Sequence, residues 1–150
     1  MESGTYGVER GREDFVYWFY SEGPRGRIKK MVQFQPTPEL GRNAFNLAFG
    51  DFDESTGKIN DLAISNNSDH LKVLNTVAEV VLDFICFWPK AIIKIEGSTL
   101  SRTRLYQMGI SSFWHEIGRE LEIYGKVGRD WVPFRRGMNY KAFLIFKKIR

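Results

Sequence analysis

The chain has one cysteine, Cys86, among 150 residues. A lone thiol closes no intrachain disulfide, which fits a reducing compartment. There are two histidines, His70 and His115. With one cysteine they form no recognisable zinc set, so neither metal nor cofactor is expected. The longest apolar run, Val80 to Trp88, is broken by Asp83 and is far too short to span a bilayer. The N-terminal MESGTYGVERGRED is polar and does not read as a signal peptide. These absences make a soluble cytoplasmic protein without membrane contact the expectation. There is no G-x-x-x-x-G-K-[ST] phosphate loop and no G-x-S-x-G nucleophile elbow. No repeat, low-complexity stretch or linker divides the chain, so residues 1–150 read as one domain.

What is present is apolar and aromatic. Hydrophobic residues make up 43% and aromatic residues 15%, enough for a packed core of bulky rings. The net charge of +4 is unevenly spread. Residues 126–150 carry +7 and the remainder −3, and Arg25, Arg27, Lys29 and Lys30 form a second basic cluster. Such asymmetry suits a nucleic-acid or phosphate partner, although a basic surface end is a common feature of proteins that bind neither.

Taken in order, residues 1–13 read as a loose end or a late-docking edge segment. Phe15 to Tyr20 is a β-branched and aromatic run, and the turn at Ser21 to Gly26 returns it to Ile28 to Gln35. Ile28, Val32 and Phe34 share one face of the return strand; Lys29, Met31, Gln33 and Gln35 share the other. Ala44 to Gly50 alternates, with Phe45, Leu47 and Phe49 inward. Lys58 to Ser65 is a weaker strand. From Leu71 to Trp88 apolar residues recur at helical spacing, after a loop ending in the N-cap residue Asp69 and before Pro89. Cys86 falls within that run and reads as a buried thiol. Ala91 to Glu96 is a strand. Ser98 or Thr99 opens a helix to Met108, with Gly109 as its C-terminal stop. A further helical segment starts at Ser111 or Ser112. Strands follow at Leu121 to Val127 and Lys141 to Ile149. The fold class is therefore α+β: a mostly antiparallel sheet of about six or seven strands, a long helix over about 69–88, and one or two shorter helices packed on it.

One local constellation points to chemistry. Gly97, Ser98 and Thr99 precede a helix start, and Arg102, Arg104 and Tyr106 follow on its first turns. Helix N–H groups, hydroxyls and guanidiniums converge there as an anion needs. Arg102 and Tyr106 share a face with Thr99, whereas Arg104 points elsewhere. The plain alternative is that the hydroxyls only cap the helix. A second candidate, Tyr17, Trp18 and Tyr20 beside Arg25, Arg27 and Lys29, suits single-stranded nucleic acid. The acidic stretch Asp51, Asp53, Glu54, Asp61 and Asp69 fails the calcium-loop pattern, since Thr56 stands where glycine is required and Leu62 where glutamate is. No catalytic residue is assigned. His115, beside Glu116, is the best general base on offer.

The segments SEGPRGRIKKMVQF, FNLAFGDFD, ISNNSDHLKVLNTVA, GSTLSRTRLYQMGI, EIYG and WVPFRRGMNYKAFL resemble a family of small uncharacterised bacterial proteins that stand alone as single domains. The likeness runs from about Phe15 to Lys147, and G-S-T-x-x-R-T-R-L-Y is its most specific part. It implies a single domain and transfers no activity, cofactor or partner. The leading expectation is a non-enzymatic module that binds a phosphate-bearing ligand, nucleic acid first, through Gly97, Ser98, Thr99, Arg102, Arg104 and Tyr106. The alternatives are a protein-interaction or toxin–antitoxin-like domain, with a protein partner or a second copy on its aromatic sheet face, and a small hydrolase or nuclease using Arg102, Tyr106 and His115.

Overall fold

A computed structural model describes residues 4–11, 15–60, 67–112 and 119–148. Nine strands form one sheet: β1 (Glu9–Arg10), β2 (Val16–Gly23), β3 (Gly26–Pro36), β4 (Ala44–Asp53), β5 (Lys58–Asn60), β6 (Ile92–Ile95), β7 (Leu121–Val127), β8 (Asp130–Pro133) and β9 (Phe143–Lys147). Their order is β1-β2-β3-β4-β6-β9-β7-β8, with β5 also on β4. Every pair is antiparallel except β4–β6. The fold class is α+β as expected, but among the described residues the sheet has nine strands rather than six or seven. The surplus is short: β1 has two residues, within a polar stretch that carries no strand periodicity.

The helical layer also departs from expectation. Among the described residues it has two helices packed on each other, α1 (His70–Phe87, 18 residues) and α2 (Leu100–Ser112, 13 residues), against an expected long helix over about 69–88 with one or two shorter ones. Gly109 does not stop α2. A Cβ there would lie 3.1 Å from the Leu74 Cβ, so this glycine lets α2 approach α1 closely. The helical segment expected after Ser112 and the end of the strand expected at Lys58 to Ser65 fall outside the described residues.

Both helices lie on one face of the sheet. Cross-strand registers set that face: Tyr17↔Val32, Phe34↔Leu47, Leu47↔Ile95 and Ile93↔Ile145. These side chains form the core with Val77, Val80, Val81, Phe84 and Ile85 of α1 and Ile110 of α2. Rings dominate it: Phe84 stacks on Phe34 at 3.9 Å and meets Phe45 edge-on at 5.2 Å. Cys86 is exposed, contrary to expectation. Phe84 and Ile85 take the inward positions of that turn, and one further residue rotates the thiol out.

Polar groups inside the core are tied together. Asp69 occupies the N-cap position of α1 but makes no side-chain cap. Its Oδ2 instead accepts hydrogen bonds from the hydroxyls of Tyr6 and Ser21, each at 2.5 Å. The Asn67 amide donates to Ser21 Oγ at 3.1 Å and to the Gly26 carbonyl at 2.9 Å. Residues 4–11 are thereby anchored, and the Tyr6 ring stacks on Phe19 at 5.9 Å. Lys30, 5% exposed, donates to Asp51 on the neighbouring strand.

Tyr17 carries a pH signature. It is 3% exposed and donates to Asp83 Oδ2 at 2.9 Å. Burial, and then Asp83, push its phenol up to about 12. The fold retains this proton at pH values where the unfolded chain loses it. Tyr17's contribution to stability is thus full below pH 10 and is lost as pH rises from about 10 to about 12, a loss of about 2 kcal/mol. Urea unfolding of the wild type and Tyr17→Phe checks this. The advantage of the wild type at pH 8 should vanish toward pH 12, and a constant gap would refute it.

Candidate functional site: a cleft where β4 changes partner

One edge of β4 serves two strands. Ala44–Leu47 pair in parallel with Ile92–Ile95, and Asp51–Asp53 pair antiparallel with Lys58–Asn60. Residues 48–50 fall between the two ladders. The chain leaves β6 at Ile95 and enters α2 five residues later. A parallel strand that ends beneath a helix N-terminus at a change of strand order is where open sheets commonly hold ligands. A cleft of about 490 Å³ opens at this point. That volume lies within the ordinary range of small-molecule sites.

The cleft gathers four of the six expected site residues: Gly97, Ser98, Arg102 and Tyr106. Thr99 and Arg104 do not line it. Thr99 caps the helix: its Oγ1 accepts from the Arg102 N–H at 3.2 Å, and its carbonyl accepts from the Thr103 N–H at 3.0 Å. Arg104 is exposed elsewhere on α2. Tyr106 packs edge-on against Phe49 at 6.4 Å, so one side of its ring belongs to the core.

Thr103 is a site residue that sequence reasoning missed. It is 2% exposed, accepts from the Gly97 N–H at 3.0 Å and donates to the Thr99 carbonyl at 3.1 Å. This clasp holds the Gly97 turn against the first turn of α2. A Cβ on Gly97 would sit 2.5 Å from Thr103 N and 2.6 Å from Arg102 Cβ. The close approach that this glycine allows is of its own backbone to the helix.

Other lining residues come from distant strands: Lys58 from β5, Gln33 and Gln35 from β3, and Asn46 from β4. The carboxamides form a loose row, with Gln35 Nε2 3.3 Å from Gln33 Oε1 and Asn46 Nδ2 3.5 Å from Gln35 Oε1. Their outward facing is readable from alternation, but their nearness to Gly97 depends on the β4–β6 register. Lys58 and Arg102 supply positive charge. The acid in the cleft, Glu96, bridges to Lys94 at 3.2 Å. The arrangement offers hydroxyl, amide and cationic donors around a polar space, which suits an oxyanion with a polar body attached.

The aromatic-plus-basic candidate divides between the two faces. Tyr17 is buried beneath α1, whereas Trp18 and Tyr20 lie on the face without helices. Arg27 lies over the Tyr20 ring at 3.9 Å, and Lys29 Nζ lies 5.1 Å from Trp18 and 4.7 Å from Phe52.

The acidic stretch disperses. Asp51 meets Lys30, and Asp69 meets Tyr6 and Ser21. Asp53 Oδ1 accepts from the Ser55 hydroxyl at 2.6 Å and N–H at 2.9 Å, which holds its carboxyl below the usual range. Asp61, like His115 and Glu116, lies outside the described residues. Among the described residues no group of three or more His, Cys, Asp or Glu is gathered as a metal would need, and no helix is long and apolar enough to cross a membrane.

Comparison with known proteins finds no match among curated proteins or solved structures. A family description does match, over residues 2–148: nearly the whole chain, cleft and clasp included, belongs to a family of unknown function, DUF6934.

Proposed function

We propose that this chain is a non-enzymatic binding module whose cleft takes a phosphate-bearing ligand of the nucleotide or nucleic-acid class. The observation that carries this reading is the convergence of Ser98 and Arg102, from the start of α2, with Lys58, from β5, on one cleft. A phosphate there meets the positive end of the helix dipole and two side-chain cations. Gln33, Gln35 and Asn46 present paired donors and acceptors, the chemistry that reads base edges. Thr99 serves by fixing the helix start and Arg104 contributes nothing.

Titration with a labelled mononucleotide and with single-stranded RNA and DNA, at low and at physiological salt, tests the reading. Arg102→Ala should weaken binding about tenfold or more, as loss of a charge-assisted contact does. Arg104→Ala should leave it within about twofold. Absence of binding at low salt, or equal affinities for wild type and Arg102→Ala, sinks the proposal.

A further inference from the structure

The cleft opens toward one end of a row of side chains along β3. The outward positions of that strand are Arg27, Lys29, Met31, Gln33 and Gln35. Met31, Gln33 and Gln35 line the cleft. Arg27 and Lys29 continue the row to the hairpin tip, where Arg25 adds a third cation in the turn. No acid stands in this row. Rings flank it on both sides: Trp18 and Tyr20 on β2, cross-strand from Met31 and Lys29, and Phe52 on β4. None of these outward residues is covered by α1 or α2.

Cations and rings alternate along this half of the open face. On β6 Lys94 bridges to Glu96 at 3.2 Å, and on β7 Lys126 lies over the Trp131 ring at 5.7 Å. Among the described residues of β1 and β2, Glu22 stands cross-strand from Arg27 and Glu9 from Trp18, while the cleft at the far end adds Lys58 and Arg102 against Glu96. Cations in line with half-buried rings are the composition of a single-strand platform: charge follows the phosphates, and bases stack on rings and guanidinium planes. The guanidinium of Arg27 lies over Tyr20, 3.9 Å from the ring centre, and adds a second stacking group there.

We infer that the ligand is single-stranded nucleic acid, with one nucleotide in the cleft and its neighbours running along β3 over Trp18, Lys29, Tyr20 and Arg27. This rests on the cleft reading and extends it. From Gln33 to Arg27 is six residues, about 20 Å of strand. The track therefore holds roughly four nucleotides, the low end for such platforms.

Binding of a mononucleotide, a dinucleotide and an octanucleotide to the full chain tests the track. Affinity should rise about tenfold or more from dinucleotide to octanucleotide. Four cations on phosphates set a slope of log K against log salt of about −2.8 for the octanucleotide. The exposed double variant Arg27→Ala/Lys29→Ala should halve that slope, to about −1.4, while mononucleotide affinity stays within about twofold. Trp18→Ala should lower octanucleotide affinity about tenfold. If that variant is poorly folded, the double variant, altered only at the surface of the row, still decides. Octanucleotide affinity and slope unchanged in the double variant overturn the track and leave the cleft reading standing. A mononucleotide that fails to bind the wild type overturns the cleft reading, and the track with it. A stable dimer that Trp18→Ala dissociates shows that a second copy covers the row, and also overturns the track.

Discussion

Phe84→Ala should cost about 4 kcal/mol of unfolding free energy, the upper range for loss of a buried aromatic ring. Phe84 is 0% exposed and sits where α1 meets the sheet. Its ring lies parallel to Phe34 at 3.9 Å and 11°, and edge-on to Phe45 at 5.2 Å and Phe15 at 5.9 Å. Truncation removes three ring contacts at once and leaves a void between strands that pair with one another and so cannot collapse independently. Domains of this size have about 5–15 kcal/mol in total. The melting temperature should fall by about 8–16 °C. Cys86→Ala is the matched control. It lies two residues on in the same helix but faces solvent, and should change stability by less than about 0.5 kcal/mol. Thermal and urea unfolding of the two variants checks both values, and comparable losses would show that the sheet, not α1, closes the core.

Part of the helix phase that makes this contrast was readable. The apolar spacing from Leu71 to Trp88 placed Leu74, Val77, Val81 and Ile85 inward, where they are buried. It did not single out Val73, Val80 and Phe84, which are buried as well, and Trp88 is exposed. The same periodicity placed Cys86 on the outside. The inward expectation followed its apolar neighbours in sequence instead, and neighbours in sequence point to different sides of a helix. Strand faces were equally legible. The alternation of Phe45, Leu47 and Phe49, and of Val32 and Phe34 against Met31 and Gln33, survives in the registers. Strand order was not legible, because pairing is decided by which edges meet, and alternation says nothing of edges. Hence β4 meets β6 in parallel, 40-odd residues downstream, and its other hydrogen-bonded stretch on that edge goes to β5.

The site inherits the same division. Local chemistry at Gly97 to Tyr106 was visible, since capping hydroxyls and arginines lie within one short segment. Helical spacing separated Arg102 and Tyr106 from Arg104, and the first two line the cleft while the third does not. What was illegible is everything the sheet brings in: Lys58, Gln33, Gln35 and Asn46 are 39 to 64 residues before Gly97 in sequence. Thr99 shows the converse error. A hydroxyl at a helix start reads as a ligand donor from sequence, yet Thr99 caps the backbone, and Thr103, which the sequence reading did not single out, holds the preceding turn.

That turn is the second place where a single substitution should have a large effect. Gly97→Ala should destabilise the ligand-free chain by about 3 kcal/mol, the upper range for overpacking a closed site. The added methyl would lie 2.5 Å from Thr103 N and 2.7 Å from the Arg102 carbonyl carbon, both backbone atoms that cannot swing aside. Relief requires the turn and helix to part, which breaks the bond from Gly97 N–H to Thr103 Oγ1. Backbone torsion is not the reason for glycine here, because Gly97 is not among the positive-φ positions. Close packing is. Ser98→Ala, one residue on and exposed, should leave stability within about 0.5 kcal/mol while it weakens the phosphate ligand. Urea unfolding without ligand separates the two roles. If Gly97→Ala keeps the wild-type midpoint and loses only ligand affinity, the glycine serves the ligand and the clasp is incidental. If it loses stability as expected, the geometry of the cleft is built by the fold before any ligand arrives, and Arg102 is held at its rim by helix packing rather than by the phosphate it would bind.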